Sequence, residues 1–230
     1  MSDAVHGFLY LIWKDPKSRR NYIVGKLSRG DSYSFEYCCE CEQAKDAGWE
    51  YLKSFPEMKR YESPTLFAAF ASRLPDPKRK GIQSILEKYG LAEYDGYELL
   101  RRSTGRLPID TYEFIDPIFP EDRTIVRDFF VVGIRHHSSC EGFACNQLPE
   151  LRVGDELVLK PEPENEYDRH AITVRTLRDE MLGYIPRYYS ESVSSRLARG
   201  MTYACEVIEI DHERGCENCL KVRLRIPKER

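Results

Sequence analysis

The chain has 230 residues, enough for one large domain or two small ones, and 41% of them are hydrophobic while 32% are charged. This composition excludes an intrinsically disordered chain. Lysine and arginine number 35 and aspartate and glutamate 38, which gives a net charge of −3. Because proteins that coat duplex DNA through its phosphates carry a clear positive excess, we expect any nucleic-acid contact to be compact and local.

The cellular location is predicted from two features that the sequence lacks. No apolar run approaches the ~20 residues that a membrane-spanning helix requires. The opening MSDAVHG has no charged head followed by an apolar signal core. We therefore expect a cytoplasmic protein with no membrane partner, and we expect its eight cysteines to be thiols or metal ligands rather than disulfides.

A breaker-rich stretch divides the chain near its middle. Pro117 and Pro120 lie in a short segment that separates two regions with different hydrophobic patterns. We predict a linker at 117–125, a first domain at 1–116 and a second at 126–230, each long enough for its own core.

The first domain is predicted to be α+β. Three strand patterns come first, with turn residues at Asp15-Pro16 and Arg29-Gly30 between them, and they indicate a small antiparallel meander. Helical spacing follows, and Asp76-Pro77 is typical of a helix start. The predicted strands are 8–13, 22–27 and 32–37, and the predicted helices are 66–74, 76–90 and 97–100.

The second domain is predicted to be mostly β with one helix. Its short strands are separated by turns such as Val153-Gly154-Asp155, a pattern that favours a small, partly closed barrel. The last two strands are expected to pair as a hairpin. The predicted strands are 129–134, 157–159, 171–174, 182–185, 201–210 and 220–226, and the helix is 188–197.

A polar loop between two of these strands, residues 160–172, is the most informative segment. Tyr167 offers a flat ring on which a base can stack, an interaction worth ~1–3 kcal/mol per base. Asn165 and Asp168 can form hydrogen bonds with sugar hydroxyls or base edges. The alternative is that these two side chains only hold the turn through hydrogen bonds to the backbone.

Several separated blocks, in this order and spacing, closely resemble the HIRAN domain over roughly residues 127–226. The resemblance implies an OB-like β-barrel and capture of the 3′ end of single-stranded DNA, as in the best understood member of the family. The blocks are Gly133-Ile134-Arg135, Gly154-Asp155, Pro163-x-Asn165-x-Tyr167-Asp168-x-x-Ala171-Ile172-x-Val174 and Leu182-Gly183-Tyr184-Ile185-Pro186-Arg187.

The resemblance also implies roles for individual residues. Arg135 and the ring of His136 would lie beside the terminal nucleotide, and Tyr167 would supply the opposing ring. Asp168 would accept a hydrogen bond from the free 3′-hydroxyl. His136 replaces a tyrosine of the family and Glu164 replaces a neutral residue, which predicts weaker binding. Further contacts to the terminal base, sugar or phosphate would come from Asn165, Tyr184 and Arg187, the last two being ordinary surface residues in the alternative interpretation.

The first domain carries a weaker resemblance, to the N-terminal subdomain of HipA-type toxin kinases. It rests on Gly25-Lys26-Leu27, Leu66-Phe67-Ala68-Ala69-Phe70, Leu74-Pro75-Asp76, Tyr97-Glu98-Leu99-Leu100 and Gly105-Arg106-Leu107, with the strand at 33–37. No catalytic Asp and Asn loop follows, so the kinase itself is not expected. The resemblance implies a domain that docks a protein partner through residues 1–116.

The cysteines leave zinc as an open alternative. Cys140 and Cys145, together with Cys216 and Cys219, would bind one tetrahedral ion if the fold brought their loops together. Unpaired thiols are the favoured interpretation, and no metal or other cofactor is predicted. The tight cluster in 38–41 is too close in sequence to surround one tetrahedral ion by itself.

No constellation of catalytic residues is recognisable. The sequence has no Gly-rich phosphate loop, no Gly-x-Ser-x-Gly elbow and no paired-carboxylate motif. His136 and His137 would point to opposite faces of a strand, a poor start for a shared metal. We predict a non-catalytic adaptor whose second domain binds single-stranded DNA. The alternatives are an antitoxin-like or regulatory subunit of a HipA-type kinase, and an accessory that targets an enzyme carried by another chain.

Overall fold

The architecture is taken from a computed structural model, which describes residues 7–119, 124–137, 148–213 and 218–227. The chain divides into two compact units, and the division falls between Pro117 and Ile118. This point lies inside the stretch assigned to a linker. The linker itself stays a prediction, since part of it lies outside the described residues.

The first unit is α+β and contains one antiparallel sheet of five strands. Its elements are β1 (Phe8–Lys14), β2 (Asn21–Arg29), β3 (Tyr33–Tyr37), α1 (Cys41–Asp46), β4 (Tyr61–Ser63), α2 (Ala68–Ala71), α3 (Ile82–Lys88), α4 (Gly96–Ser103) and β5 (Tyr112–Ile115). The strand order is β4-β3-β2-β1-β5. The predicted meander is present as β1 to β3, while the helical pattern at 66–74 yields only the single turn α2.

The helix predicted to begin at Asp76 begins later. The Asp76 carboxylate accepts the backbone N–H of Lys78 in a turn, so it does not cap a helix. The backbone of Gly81 then adopts a left-handed conformation with φ of 84°, and α3 follows it. Asp95 caps α4, and its side chain accepts the backbone N–H groups of the first turn.

Aromatic rings dominate the core of the first unit. The ring of Phe35 lies 4.6 Å from that of Phe55 and 5.1 Å from that of Phe70. Gly25 on β2 makes room for it, because a Cβ there would lie 2.6 Å from the Phe35 ring. Tilted and edge-on aromatic pairs of this kind contribute ~0.5–1.5 kcal/mol beyond their buried area.

The second unit is built from two antiparallel sheets of three strands. Its elements are β6 (Ile125–Phe130), α5 (Ile134–His137), β7 (Val158–Pro161), β8 (Ile172–Arg175), β9 (Met181–Tyr184), α6 (Arg187–Ala198), β10 (Ala204–Ile210) and β11 (Leu220–Ile226). The strand orders are β10-β11-β6 and β7-β8-β9. The predicted final hairpin is confirmed, since β10 and β11 pair antiparallel.

A closed β-barrel sheet is not shown by the described residues. Two isolated antiparallel bridges, Val132 with Tyr184 and Glu156 with Glu206, join the two sheets. One apolar core nevertheless draws residues from both sheets and from α6, as Val174, Val222 and Val193 are all fully buried within it. The unit is therefore mixed α/β with antiparallel sheets and few helices. Within the described ranges, no helix is long and apolar enough to cross a membrane.

The strand predicted over 129–134 is wrong in its second half. Strand β6 ends at Phe130, and Gly133 turns the chain with φ of 78°. Residues after this glycine form the one-turn helix α5, so His136 and His137 lie on a helix rather than on a strand. The opposite-face argument for these two histidines therefore does not apply.

Candidate nucleic-acid interface

The loop between β7 and β8 is held by two of the predicted site residues. The Asn165 Oδ1 atom accepts the backbone N–H groups of Tyr167 at 3.0 Å and Asp168 at 3.1 Å. The Asp168 Oδ1 atom accepts the backbone N–H of His170 at 2.9 Å. Both side chains thus hold the turn, as the structural alternative predicted, and they fix the backbone on either side of Tyr167.

Tyr167 itself points into solvent. Its side chain is 87% exposed, the same fraction as Ile109, and these are the highest values among the exposed large hydrophobic residues of the described chain. Because the backbone beneath it is fixed by Asn165, the ring is presented outward from an ordered loop. Its face is available for stacking.

Glu162 joins this loop to the neighbouring sheet. Its Oε2 atom accepts hydrogen bonds from Asn165 Nδ2 at 2.7 Å and from the Tyr184 hydroxyl at 2.9 Å. The hydrogen bond from Asn165, followed by that from Tyr184, lowers the pKa of the Glu162 carboxyl below its ordinary value. The pKa of Tyr184 is raised, mainly by burial and then by the hydrogen bond to Glu162. Sequence reasoning missed Glu162, because a single glutamate among prolines carries no pattern.

A second anchor joins the loop to α6. The Ser190 hydroxyl lies 2.7 Å from Asp168 Oδ2 and 2.8 Å from the carbonyl oxygen of Arg187. Ser190 is buried, whereas the Arg187 side chain at the start of α6 is exposed. We call the side chains linked by these hydrogen bonds, Glu162, Asn165, Asp168, Tyr184 and Ser190, the loop network.

The helix α5 meets the loop network at Tyr184. The backbones of Val132 and Tyr184 exchange two hydrogen bonds, of 2.9 and 2.8 Å. A Cβ at Gly183 would lie 2.4 Å from the Val132 carbonyl oxygen, so this approach requires a residue without a side chain. The His137 ring then lies edge-on to the Tyr184 ring at 5.6 Å.

Two of the predicted site residues lie on α5. Arg135 and His136 are both exposed. Among the described residues, no ring contact joins His136 to Tyr167, so the two-ring cleft stays a prediction. The histidine that contacts an aromatic ring is His137, whose pKa is lowered by burial and then by the neighbouring charge of His136. His137 was overlooked because the resemblance assigned the role to His136.

Some of the predicted site residues are therefore joined by hydrogen bonds, and others are not. In the loop network, Asn165 accepts the backbone N–H of Asp168 and is joined to Tyr184 through Glu162. Ser190 extends the network to the start of α6. The exposed cations Arg135 and Arg187 are carried by α5 and α6. This arrangement offers an aromatic face, carboxylate acceptors and a few cations. It suits a flat, polar ligand that is bound by stacking and hydrogen bonds more than a ligand that is bound only by electrostatic attraction.

A metal centre has no support among the residues that the structure describes. No cluster of three or more potential metal ligands occurs there. Of the four cysteines considered for zinc, Cys219 is buried in the core of the second unit. The other three, Cys140, Cys145 and Cys216, lie outside the described residues, so the zinc alternative is not tested.

The comparison with family models concerns the C-terminal part of the chain. Residues 126–227 match the family model of the HIRAN domain. A protein of known crystal structure from Lactobacillus plantarum is 28% identical, with a TM-score of 0.38, and the match covers 46% of this chain and 97% of that one. The HIRAN domain of human HLTF is 16% identical, with a TM-score of 0.35, covering 46% of this chain and 82% of that one. No curated protein matches the chain.

The family match confirms the HIRAN domain predicted from the sequence, and a HIRAN domain suggests DNA binding. The resemblance of residues 1–116 to the HipA N-terminal subdomain is not supported by these comparisons and stays a prediction.

Proposed function

We propose that the HIRAN domain at residues 126–227 binds single-stranded DNA and recognises its 3′ end, at the surface formed by Tyr167, the loop network and α5. The observation that carries the proposal is the exposed ring of Tyr167 on an ordered loop. Stacking of bases on such a ring is tolerant of sequence and needs little positive charge. It therefore fits a chain whose net charge is −3.

The groups around Tyr167 supply the polar part of recognition. Each Asp168 carboxylate oxygen already accepts one hydrogen bond, and an ionised carboxylate has about four lone-pair sites. Asp168 therefore retains the capacity to accept a hydrogen bond from a 3′-hydroxyl. Arg135 on α5 and Arg187 on α6 are both exposed, and in this proposal they contact phosphate.

The proposal includes an OB-like barrel as the scaffold of this surface. The two isolated bridges support it, because each joins an edge strand of one sheet to an edge of the other. Val132 follows β6 and bridges to β9, while Glu156 precedes β7 and bridges to β10. OB-like barrels use such partly open strand arrangements to bind oligonucleotides.

The test is fluorescence anisotropy of the full chain with labelled single strands that end in a 3′-hydroxyl or a 3′-phosphate. We expect tighter binding of the 3′-hydroxyl strand. Tyr167→Ala should weaken it by about 5- to 150-fold, the equivalent of ~1–3 kcal/mol of stacking. Leu177→Ala is the matched control, because this side chain is also largely exposed in the same unit. Equal, salt-sensitive binding of both strands that is unaffected by Tyr167→Ala would contradict the proposal.

We further propose that the protein is a non-catalytic cytoplasmic adaptor and that residues 1–116 dock a protein partner. The proposal takes Ile109, 87% exposed, as a contact point, since it is the most exposed large apolar side chain in the described part of that unit. Cross-linking mass spectrometry on the full chain should place partner cross-links around Ile109. Ile109→Lys should remove them, whereas Leu177→Lys should not. Cross-links confined to the second unit would contradict docking through the first.

A further inference from the structure

Two adjacent cysteines form a paired-thiol site at the end of β3. The Sγ atoms of Cys38 and Cys39 lie 3.1 Å apart. Cys39 is exposed and has a φ of 61°, a left-handed conformation that residues other than glycine seldom adopt. The backbone on either side is bound to β2, through the N–H of Cys38 to the carbonyl of Val24 and the N–H of Glu40 to the carbonyl of Ile23. The two thiols are therefore held side by side on a rigid strand end.

The pair is chemically activated by its own hydrogen bond. The proton shared between the sulfurs lowers the pKa of Cys39 to about 7, and the nearby Lys26 adds to this shift. The same hydrogen bond, together with burial, raises the pKa of Cys38. At neutral pH the exposed sulfur therefore has thiolate character, which is the reactive form.

The third cysteine of the cluster, Cys41, directs its thiol to backbone carbonyl groups and not to the other two sulfurs. Cys41 is buried, and its Sγ atom lies 2.8 Å from the carbonyl oxygen of Val24 and 3.2 Å from that of Cys38. Burial raises the pKa of its thiol to about 11. The site therefore offers two sulfur donors and not three.

We propose that Cys38 and Cys39 form a binding site for one trivalent arsenical. The spacing of the sulfurs favours this ligand. Two sulfurs 3.1 Å apart, each about 2.3 Å from a shared atom, subtend about 85° at that atom, whereas a tetrahedral zinc ion requires about 109°. Trivalent arsenic carries a lone pair that compresses its bond angles well below the tetrahedral value.

A direct disulfide between the two cysteines is a poorer product of this pair. Adjacent Cα atoms are only about 3.8 Å apart across a trans peptide, whereas disulfides usually need at least ~4.4 Å. Insertion of one atom between the sulfurs avoids that constraint.

The binding step is a condensation without oxidation. A hydrated organic arsine oxide, with two hydroxyl groups on arsenic, reacts with the two thiols. Two As–O bonds break, two As–S bonds form and two waters leave with the thiol protons. Arsenic stays trivalent throughout, and its third substituent is unchanged.

The test uses phenylarsine oxide and the full chain in which Cys140, Cys145 and Cys216 are replaced by serine, because these three lie outside the described residues. We expect one arsenical per chain by intact mass, retained in excess glutathione and released by a dithiol. Cys38→Ser and Cys39→Gly should each reduce retention at least ~100-fold, because the chelate becomes a single bond. Glycine suits the left-handed backbone at position 39.

Cys41→Ala is the matched control and should retain the arsenical. Fluorescence of the two tryptophans, Trp13 and Trp49, which both lie in this unit, reports whether each variant folds. X-ray absorption at the arsenic edge should count two sulfur ligands. Equal retention by Cys39→Gly, loss in a folded Cys41→Ala, or three sulfurs on arsenic would overturn the proposal.

Discussion

The close approach of β9 to the chain before α5 predicts a large effect for Gly183→Ala. A Cβ at this position would lie 2.4 Å from the Val132 carbonyl oxygen and 2.9 Å from Val131 Cγ1. Both are closer than real Cβ atoms approach, and one obstacle is backbone, which cannot rotate away. The backbone pair between Val132 and Tyr184 must therefore separate or shift.

The size of the effect follows from the contacts that are lost. Two backbone hydrogen bonds contribute about 0.5–1.5 kcal/mol each, and overpacking adds about 1–3 kcal/mol. Alanine also restricts the unfolded chain, which offsets about 0.4–1 kcal/mol. We expect the second unit to lose about 1–5 kcal/mol of unfolding free energy.

The assay is urea unfolding, monitored by hydrogen exchange of amides in the second unit. An unchanged m-value would show that the substitution changes stability and not the surface exposed on unfolding. Trp13 and Trp49 both belong to the first unit, so their fluorescence transition should not move and serves as an internal control. Gly154→Ala is the matched variant, because Gly154 also has a positive φ, of 97°, but nothing lies within 4 Å of its would-be Cβ. If both variants cost the same, the steric reasoning is refuted.

Three further predictions concern the loop network and α5. His136→Gln should raise the pKa of His137 toward its ordinary value of 6.5, because the charge of His136 helps to lower that pKa. An NMR titration of His137 measures the change directly, and an unchanged pKa would contradict this cause. The pKa of Glu162 is lowered in the folded protein, so the stability that this carboxylate contributes should be complete above its ordinary pKa of 4.5. That stability should be lost as the pH falls through the lower pKa of the folded state. The NMR chemical shifts of the loop should therefore move only in that acid range. Ser190→Ala should cost about 1–3 kcal/mol by urea unfolding, since it leaves a partly buried carboxylate short of one donor, whereas the exposed Ser195→Ala should cost less than about 0.5 kcal/mol.

The elements that sequence predicted well are those specified by local pattern. Strands β10 and β11 alternate between apolar and polar residues, and a short connection between Ile210 and Leu220 makes their antiparallel pairing the simplest outcome. The family blocks around Asn165 likewise identified the HIRAN domain. Each of these signals is read from residue types at fixed spacings along the chain, so a single sequence contains it.

The elements that it missed depend on contacts between distant residues or on one backbone angle. The apolar run that ends at Ile134 is compatible both with a continuous strand and with a turn. The left-handed φ of Gly133 ends the strand, and the sequence pattern does not reveal that angle. The hydrogen bond between Glu162 and Tyr184 joins residues 22 positions apart, as does that between Asp168 and Ser190. Neither pairing follows from propensity or spacing, because each depends on how β9 and α6 pack in the folded unit.

The backbone pair of Val132 and Tyr184 also joins the two sheets of the second unit beside the residues proposed to bind DNA. Tyr167 lies in the loop between β7 and β8 of one sheet, whereas Arg135 on α5 follows β6 of the other sheet. Two backbone hydrogen bonds join the two sheets at this point. In the proposed function, a small rotation about these bonds would change the separation between Tyr167 and Arg135 while leaving both sheets intact.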